Sequence, residues 1–113
     1  MIKNKLIIVL GAGESGVGTA VLAAKQGFDV FVSDFGKIKD DYRNILINKN
    51  ISFEEGSHNT VLEIMKNIGK ETAQIEVVKS TGIADSVHII KSLREKGIPV
   101  ISEIEFAGRY TNA

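Results

Sequence analysis

The sequence predicts a doubly wound α/β fold, a Rossmann-like parallel sheet of about five strands with helices on both faces. Three observations carry it. Short apolar runs alternate with stripes of helical period, the connections between them are only a few residues long, and a glycine-rich turn separates the first run from the first stripe. Strand–helix–strand units with short connections select a parallel sheet, because the crossover is right-handed almost without exception.

Leu6–Leu10 is an unbroken apolar run, the pattern of a strand buried on both faces, and it ends at Gly11. From Ser15 the period changes: Val17, Ala20, Val21 and Ala24 fall on one helical stripe, which Gly27 stops. Residues 28–33 form the second predicted strand, rich in β-branched and aromatic residues, and deliver Asp34 at its carboxyl end. Ile38, Tyr42, Ile45 and Leu46 mark a helix ending near Asn50, followed by a short strand over 51–53. Thr60 to Glu63 has capping-box spacing, and Val61, Ile64, Met65 and Ile68 continue a helical stripe to Gly69.

Residues 75–78 are the fourth strand, broken by Ser80-Thr81-Gly82. Asp85 or Ser86 is expected to cap a helix containing Val87, Ile90, Leu93 and Arg94, closed by Gly97. Pro99 opens the fifth strand at Val100 and Ile101, a place that tolerates proline. Ser102 to Glu105 repeats the capping-box spacing and starts a short last helix through Phe106 and Ala107, and Tyr110 to Ala113 reads as the start of a linker.

At 113 residues the chain suits one domain, with 43% hydrophobic and 25% charged residues, enough for a packed core. Fourteen basic residues balance fourteen acidic ones, so no net field draws the chain to nucleic acid or to an anionic membrane; neither is expected as a partner. The absence of cysteine excludes disulfides, thiolate nucleophiles and Cys-based metal sites, and makes the cytoplasm the default location. The apolar start could pass for a signal peptide, but Glu14 and its neighbouring glycines suit neither a secretory core nor a membrane span, so a soluble chain is expected.

Gly11-Ala12-Gly13-Glu14-Ser15-Gly16 matches G-x-G-x-x-G between a buried strand and an amphipathic helix. In that context the first glycine permits the turn, the second lets a phosphate approach the backbone, and the third allows strand and helix to pack closely. Helix-start N–H groups would face the anion. The plain alternative is a glycine turn with no ligand. Asp34 lies 18 residues beyond Gly16, suitably placed to accept from ribose hydroxyls or a base N–H, or simply to cap its own turn. Ser80-Thr81-Gly82 should share the same carboxyl edge, near the point where strand order reverses, or merely link strand to helix.

Glu14 would have to turn outward to water beside a bound phosphate. His58 and His88 have no ligand spacing joining them and read as ordinary surface or half-buried histidines, so no metal site is expected. The basic run from Lys91 to Lys96 reads as a solvated helix end. There is no G-x-x-x-x-G-K-S/T loop, no nucleophile elbow and no His–Cys pair, so no catalytic residue is expected; the segment reads as a binding domain.

Ile7 to Gly16, then Asp34, then Lys79-Ser80-Thr81-Gly82-Ile83, then Gly97 to Phe106 together resemble the N-terminal domain of the Mur ligase family, closest to its D-glutamate-adding members. The resemblance spans nearly the whole chain. It implies that residues 1–113 are the first domain of a longer ligase, holding the UDP end of UDP-N-acetylmuramoyl-L-alanine, with the central ATP-binding and C-terminal domains elsewhere. ATP and magnesium would then serve the full-length enzyme, no cofactor would belong to this domain, and the domain alone would not ligate.

The resemblance also implies diphosphate contacts from the loop Gly13, Glu14, Ser15 and Gly16, uracil contacts near Asp34, Phe35 and Gly36, and a third contact segment at Ser80, Thr81 and Gly82. Two positions depart from the family: Thr81 replaces the usual proline, and Gly36 stands where some members have arginine. An NAD-binding module of an oxidoreductase, or a nucleotide-sensing regulatory domain, explains the glycine loop and Asp34 equally well but leaves Gly82-Ile83 and the Ser102 to Phe106 segment unexplained.

Overall fold

A computed structural model describes residues 5–68, 74–80 and 88–110. Gly69, Thr81, Gly82, Asp85, Ser86, Val87 and the end of the chain from Thr111, all named in the sequence reading, lie outside them.

The order of elements is β1 (Leu6–Leu10), α1 (Glu14–Lys25), β2 (Asp29–Asp34), α2 (Asp40–Asn48), β3 (Ser52–Glu55), α3 (Asn59–Asn67), β4 (Ile75–Lys79), α4 (His88–Glu95), β5 (Val100–Ser102) and α5 (Glu103–Gly108). All strand pairs are parallel, in the order β3-β2-β1-β4-β5. The predicted five-stranded doubly wound sheet is therefore present.

Alternation along β1 divides the core in two. Ile7 and Val9 face α1, α2 and α5, packing with Val17, Ala20, Ala23, Leu46 and Phe106. Ile8 and Leu10 face α3 and α4, packing with Val61, Met65, Ile90 and Leu93. Burial on both faces explains why β1 reads as a continuous apolar run. The chain winds outward through β1, β2 and β3, then returns to place β4 on the free side of β1. The strand order thus reverses between β1 and β4, which opens a crevice at their carboxyl ends.

Two local expectations are corrected. The buried face of α1 is Gly16, Val17, Thr19, Ala20 and Ala23, whereas Ala24 is exposed. The helix rests on the sheet through its small residues, and a purely apolar stripe gives no weight to Gly16 or Thr19. The capping box at Thr60 is also absent: α3 starts two residues earlier than that box would set it, its N-cap is His58, and no side chain at that position caps it. A carboxylate from the neighbouring strand does so instead. Glu54 of β3 accepts from the Thr60 N–H at 2.9 Å and the Val61 N–H at 3.2 Å.

The box at Ser102 does form a cap. Its hydroxyl accepts from the Glu105 N–H at 3.1 Å. Asn50 ends the α2 connection with φ +57, a left-handed conformation that asparagine tolerates.

Candidate functional site at the carboxyl edge

The loops after β1, β2 and β4 are joined by backbone hydrogen bonds. Gly11 N–H donates to the Ser33 carbonyl at 2.9 Å, and Ser80 N–H donates to the Leu10 carbonyl at 3.0 Å. The glycine turn, Asp34 and Ser80 consequently lie along adjacent strand ends, as the sequence reading expected of them. Thr81 and Gly82, the rest of the third segment, are outside the described residues.

The three glycines of the turn differ in what requires them. Gly11 has φ +99, a conformation costly for any residue with a Cβ. A Cβ on Gly16 would stand 1.9 Å from the Gly11 carbonyl oxygen, so close strand–helix packing needs glycine there. Gly13 has φ −79, and a Cβ on it would meet nothing within 4 Å among the described residues. Gly13 is the N-cap of α1 and no side chain caps it. Gly13, Glu14 and Ser15 are exposed, and Glu14 occupies the first helical turn. An uncapped helix start carries partial positive charge and outward N–H groups, an arrangement suited to an anion.

Asp34 does more than cap its turn. Its Oδ2 accepts from the Ala12 N–H and its Oδ1 from the Gly36 N–H, both at 2.8 Å. The carboxylate therefore ties the glycine turn to the β2 loop and fixes both, and any ligand donor must share its oxygens. Beyond it Phe35 and Gly36 are exposed, Phe35 to 73%.

A buried polar group beside Asp34 escaped the sequence reading. Ser33, at 0% exposure, has its hydroxyl 2.9 Å from Glu54 Oε2 and 2.6 Å from His58 Nδ1. Burial pushes the His58 pKa below its usual value, against the opposing pull of the Glu54 and Asp34 carboxylates. The imidazole ring centre lies 5.9 Å from that of Phe35. Phe35, Ser57, His58, Leu62, His88 and Ile89 line a largely apolar cavity of about 290 Å³. His58 and His88 thus share a cavity although no spacing joins them; only the topology, with α3 and α4 on one face of the sheet, could have shown it. Among the described residues no group of three or more His, Cys, Asp or Glu side chains could hold a metal ion.

Comparisons with known proteins agree with this architecture. The family described as the MurD N-terminal domain matches residues 6–65. UDP-N-acetylmuramoylalanine–D-glutamate ligases are similar to the chain at 54% identity over 109 residues in Bacteroides fragilis and 50% over 109 residues in Bacteroides thetaiotaomicron. Each alignment takes in 96% of this chain and 23% of the relative, so the chain spans less than a quarter of the length of these relatives.

Among solved structures, a UDP-N-acetylmuramate:L-alanyl-γ-D-glutamyl-meso-diaminopimelate ligase from Neisseria meningitides superposes with a TM-score of 0.74 at 21% identity, covering 96% of this chain and 31% of that one. A UDP-N-acetylmuramate–alanine ligase from Thermotoga maritima gives 0.65 at 17% identity, covering 91% and 21%. At such identities these two structures speak for the fold alone. With the family match covering more than half of its residues, the chain belongs to the MurD N-terminal domain family.

Proposed function

We propose that this chain is the nucleotide-sugar-binding domain of an ATP-dependent ligase that joins D-glutamate to UDP-N-acetylmuramoyl-L-alanine. The observation that carries the reading is the division of labour in the glycine turn. Gly11 and Gly16 answer to the chain's own geometry, whereas Gly13 leaves open backbone at an uncapped helix start, where a diphosphate can approach. The reversal of strand order between β1 and β4 supports the same edge. So does the function in the names of the relatives that match 96% of the chain.

On this reading Gly13, Glu14, Ser15 and Gly16 hold the diphosphate, mainly through main-chain N–H groups, with the Glu14 side chain turned to water. Asp34, Phe35 and Gly36 border the uridine, and Ser80, Thr81 and Gly82 form the third wall. Family membership speaks against the nicotinamide-nucleotide reading. ATP and magnesium do not fit the residues here, which include no phosphate loop ending in Gly-Lys-Ser/Thr; they belong to other domains of the longer protein, as does the chemistry of ligation. A cytoplasmic location accompanies this assignment; no helix among the described residues is long and apolar enough to cross a membrane.

Titrating UDP and UDP-N-acetylmuramoyl-L-alanine into the chain while following amide shifts tests the proposal. Residues 11–16, 34–36 and 80–82 are expected to move together, with weak affinity near the millimolar range, about −4 kcal/mol. Silence at all three segments at high ligand concentration refutes it.

A further inference from the structure

We infer that Glu55 is a positioning residue of this site: paired with Arg43, it holds both backbone groups of Ile38 and so fixes the loop between β2 and α2 before a nucleotide arrives. The inference rests on the uridine-nucleotide reading above and adds to it a residue that acts through the loop rather than on the ligand.

Residues 35–38 lie between the end of β2 and Lys39, the N-cap of α2, so neither a strand ladder nor a helix satisfies their backbone. Side chains and the neighbouring strand end do so instead. Glu55 Oε1 accepts from the Ile38 N–H at 2.8 Å, and Arg43 Nη2 donates to the Ile38 carbonyl at 3.0 Å. The two side chains form an ion pair, with Arg43 Nε 3.5 Å from Glu55 Oε2. The N–H and the carbonyl of one loop residue are thus gripped by the two halves of one ion pair. Gly36 is held as fully. Its N–H donates to Asp34 Oδ1 at 2.8 Å, and its carbonyl accepts from the N–H of Gly56, the residue after Glu55, at 3.0 Å.

Strand register puts Glu55 where it can do this. β3 pairs in parallel with β2, and Glu55 stands opposite Asp34 at the carboxyl edge. Arg43 approaches from α2, where Asp40, 3.3 Å away, is its other carboxylate neighbour.

The grip secures an exposed surface. Phe35, Gly36 and Lys37 are open to solvent, whereas the Ile38 side chain is only 1% exposed, anchored in the core. The loop therefore shows an outward face on a fixed backbone. The ion pair itself is partly exposed, and such pairs add little to global stability. Ordering a binding loop in advance adds to affinity, because the entropy of ordering it is then not subtracted when the ligand binds. Glu55 accordingly matters more to binding than to folding.

The test uses the 113-residue chain with Glu55→Ala and Glu55→Gln variants. UDP affinity is taken from the amide shifts at 11–16, amide exchange is followed at Ile38 without ligand, and urea melts record stability separately. In Glu55→Ala the Ile38 amide is expected to exchange about tenfold or more faster than in the wild type, and UDP to bind about tenfold more weakly to the folded chain. Glu55→Gln keeps an oxygen for the Ile38 N–H, and is expected to leave Ile38 protected and UDP affinity within about threefold of wild type. A purely structural role would lower the urea midpoint of Glu55→Ala and leave the affinity of the folded chain unchanged.

UDP binding by Glu55→Ala within about twofold of wild type overturns the inference while the nucleotide reading stands. Weakened binding with Ile38 still protected overturns it too, as does Glu55→Gln binding as weakly as Glu55→Ala. If the wild type does not respond to UDP, the nucleotide reading falls and the inference with it. An Ile38 amide that exchanges at the rate of an unstructured chain in the free wild type also overturns the inference, and that measurement decides even if Glu55→Ala does not fold.

Discussion

Gly13 and Gly16 stand three residues apart in one turn, yet replacing each by alanine is expected to injure a different property. At Gly16 the new methyl would lie 1.9 Å from the Gly11 carbonyl oxygen, so α1 must lift from the sheet. We expect Gly16→Ala to cost about 1–3 kcal/mol of stability, the usual range for overpacking, read as a lower urea midpoint. At Gly13 the methyl meets none of the described residues, and the loss is that between glycine and alanine at an N-cap, under about 1 kcal/mol. UDP affinity should nevertheless fall about tenfold, or about 1.4 kcal/mol, in Gly13→Ala. A Gly13→Ala chain that binds UDP as well as the wild type would show that no ligand uses that open backbone. The glycine spacing and Asp34 were legible because their roles depend on strand, turn and helix in immediate succession. The partner of Asp34 was not: Ala12 is 22 residues away, and only the pairing of β2 with β1 brings it within 2.8 Å. For the same reason Ser33, Glu54 and His58 gave no signal; they come from a strand, its neighbour and the following turn, with no shared motif.

Among the elements, α3 depends on a cap from outside itself. The sequence pairs Thr60 with Glu63, but the carboxylate that reaches the free N–H groups is that of Glu54, held at the end of β3. Glu54→Ala is therefore expected to cost about 1–2 kcal/mol, as loss of an N-cap acceptor does, while Glu63→Ala, on the exposed side, should stay within about 0.5 kcal/mol of wild type. Urea melts of the two variants separate the possibilities, and a larger loss for Glu63→Ala would restore the local capping box. Existence and order of the elements could be read because hydrophobic period reports burial directly, as in the two-sided run of β1. Orientation was less accessible. The inner face of α1 is chosen by how closely Gly16 and Thr19 let the backbone approach the sheet, a matter of size rather than hydrophobicity.

Taken as a whole, the molecule has two helical layers on one sheet, and α5 ties the carboxyl end of β5 to the amino end of its neighbour β4. Its first turn is capped by Ser102 at the carboxyl end of β5, Phe106 is fully buried against the core, and Arg109 reaches Glu76 near the amino end of β4. The pair is bidentate, with both N···O distances 2.8 Å, and Lys5 adds a contact at 3.3 Å from the start of β1. Alternation and short connections made the layered fold legible, whereas this clamp spans 33 residues and needed the finished sheet to appear. It has a consequence for acid stability. The hydrogen-bonded Arg109 guanidinium, helped by Lys5, holds the Glu76 carboxyl below its ordinary value of 4.5 despite the opposing effect of burial. Between the folded and unfolded titrations the unfolded chain binds more protons, so acidification favours unfolding. The stabilisation is fully present above the unfolded value and is lost as pH falls through the folded one. Unfolding free energies measured in urea from neutral pH downward should accordingly decline below about pH 5 in the wild type. Glu76→Gln, which has no proton to gain, should start lower at neutral pH and show a shallower acid limb. An acid limb of unchanged slope in Glu76→Gln would mean that other carboxylates govern the acid response and that the clamp contributes little to it.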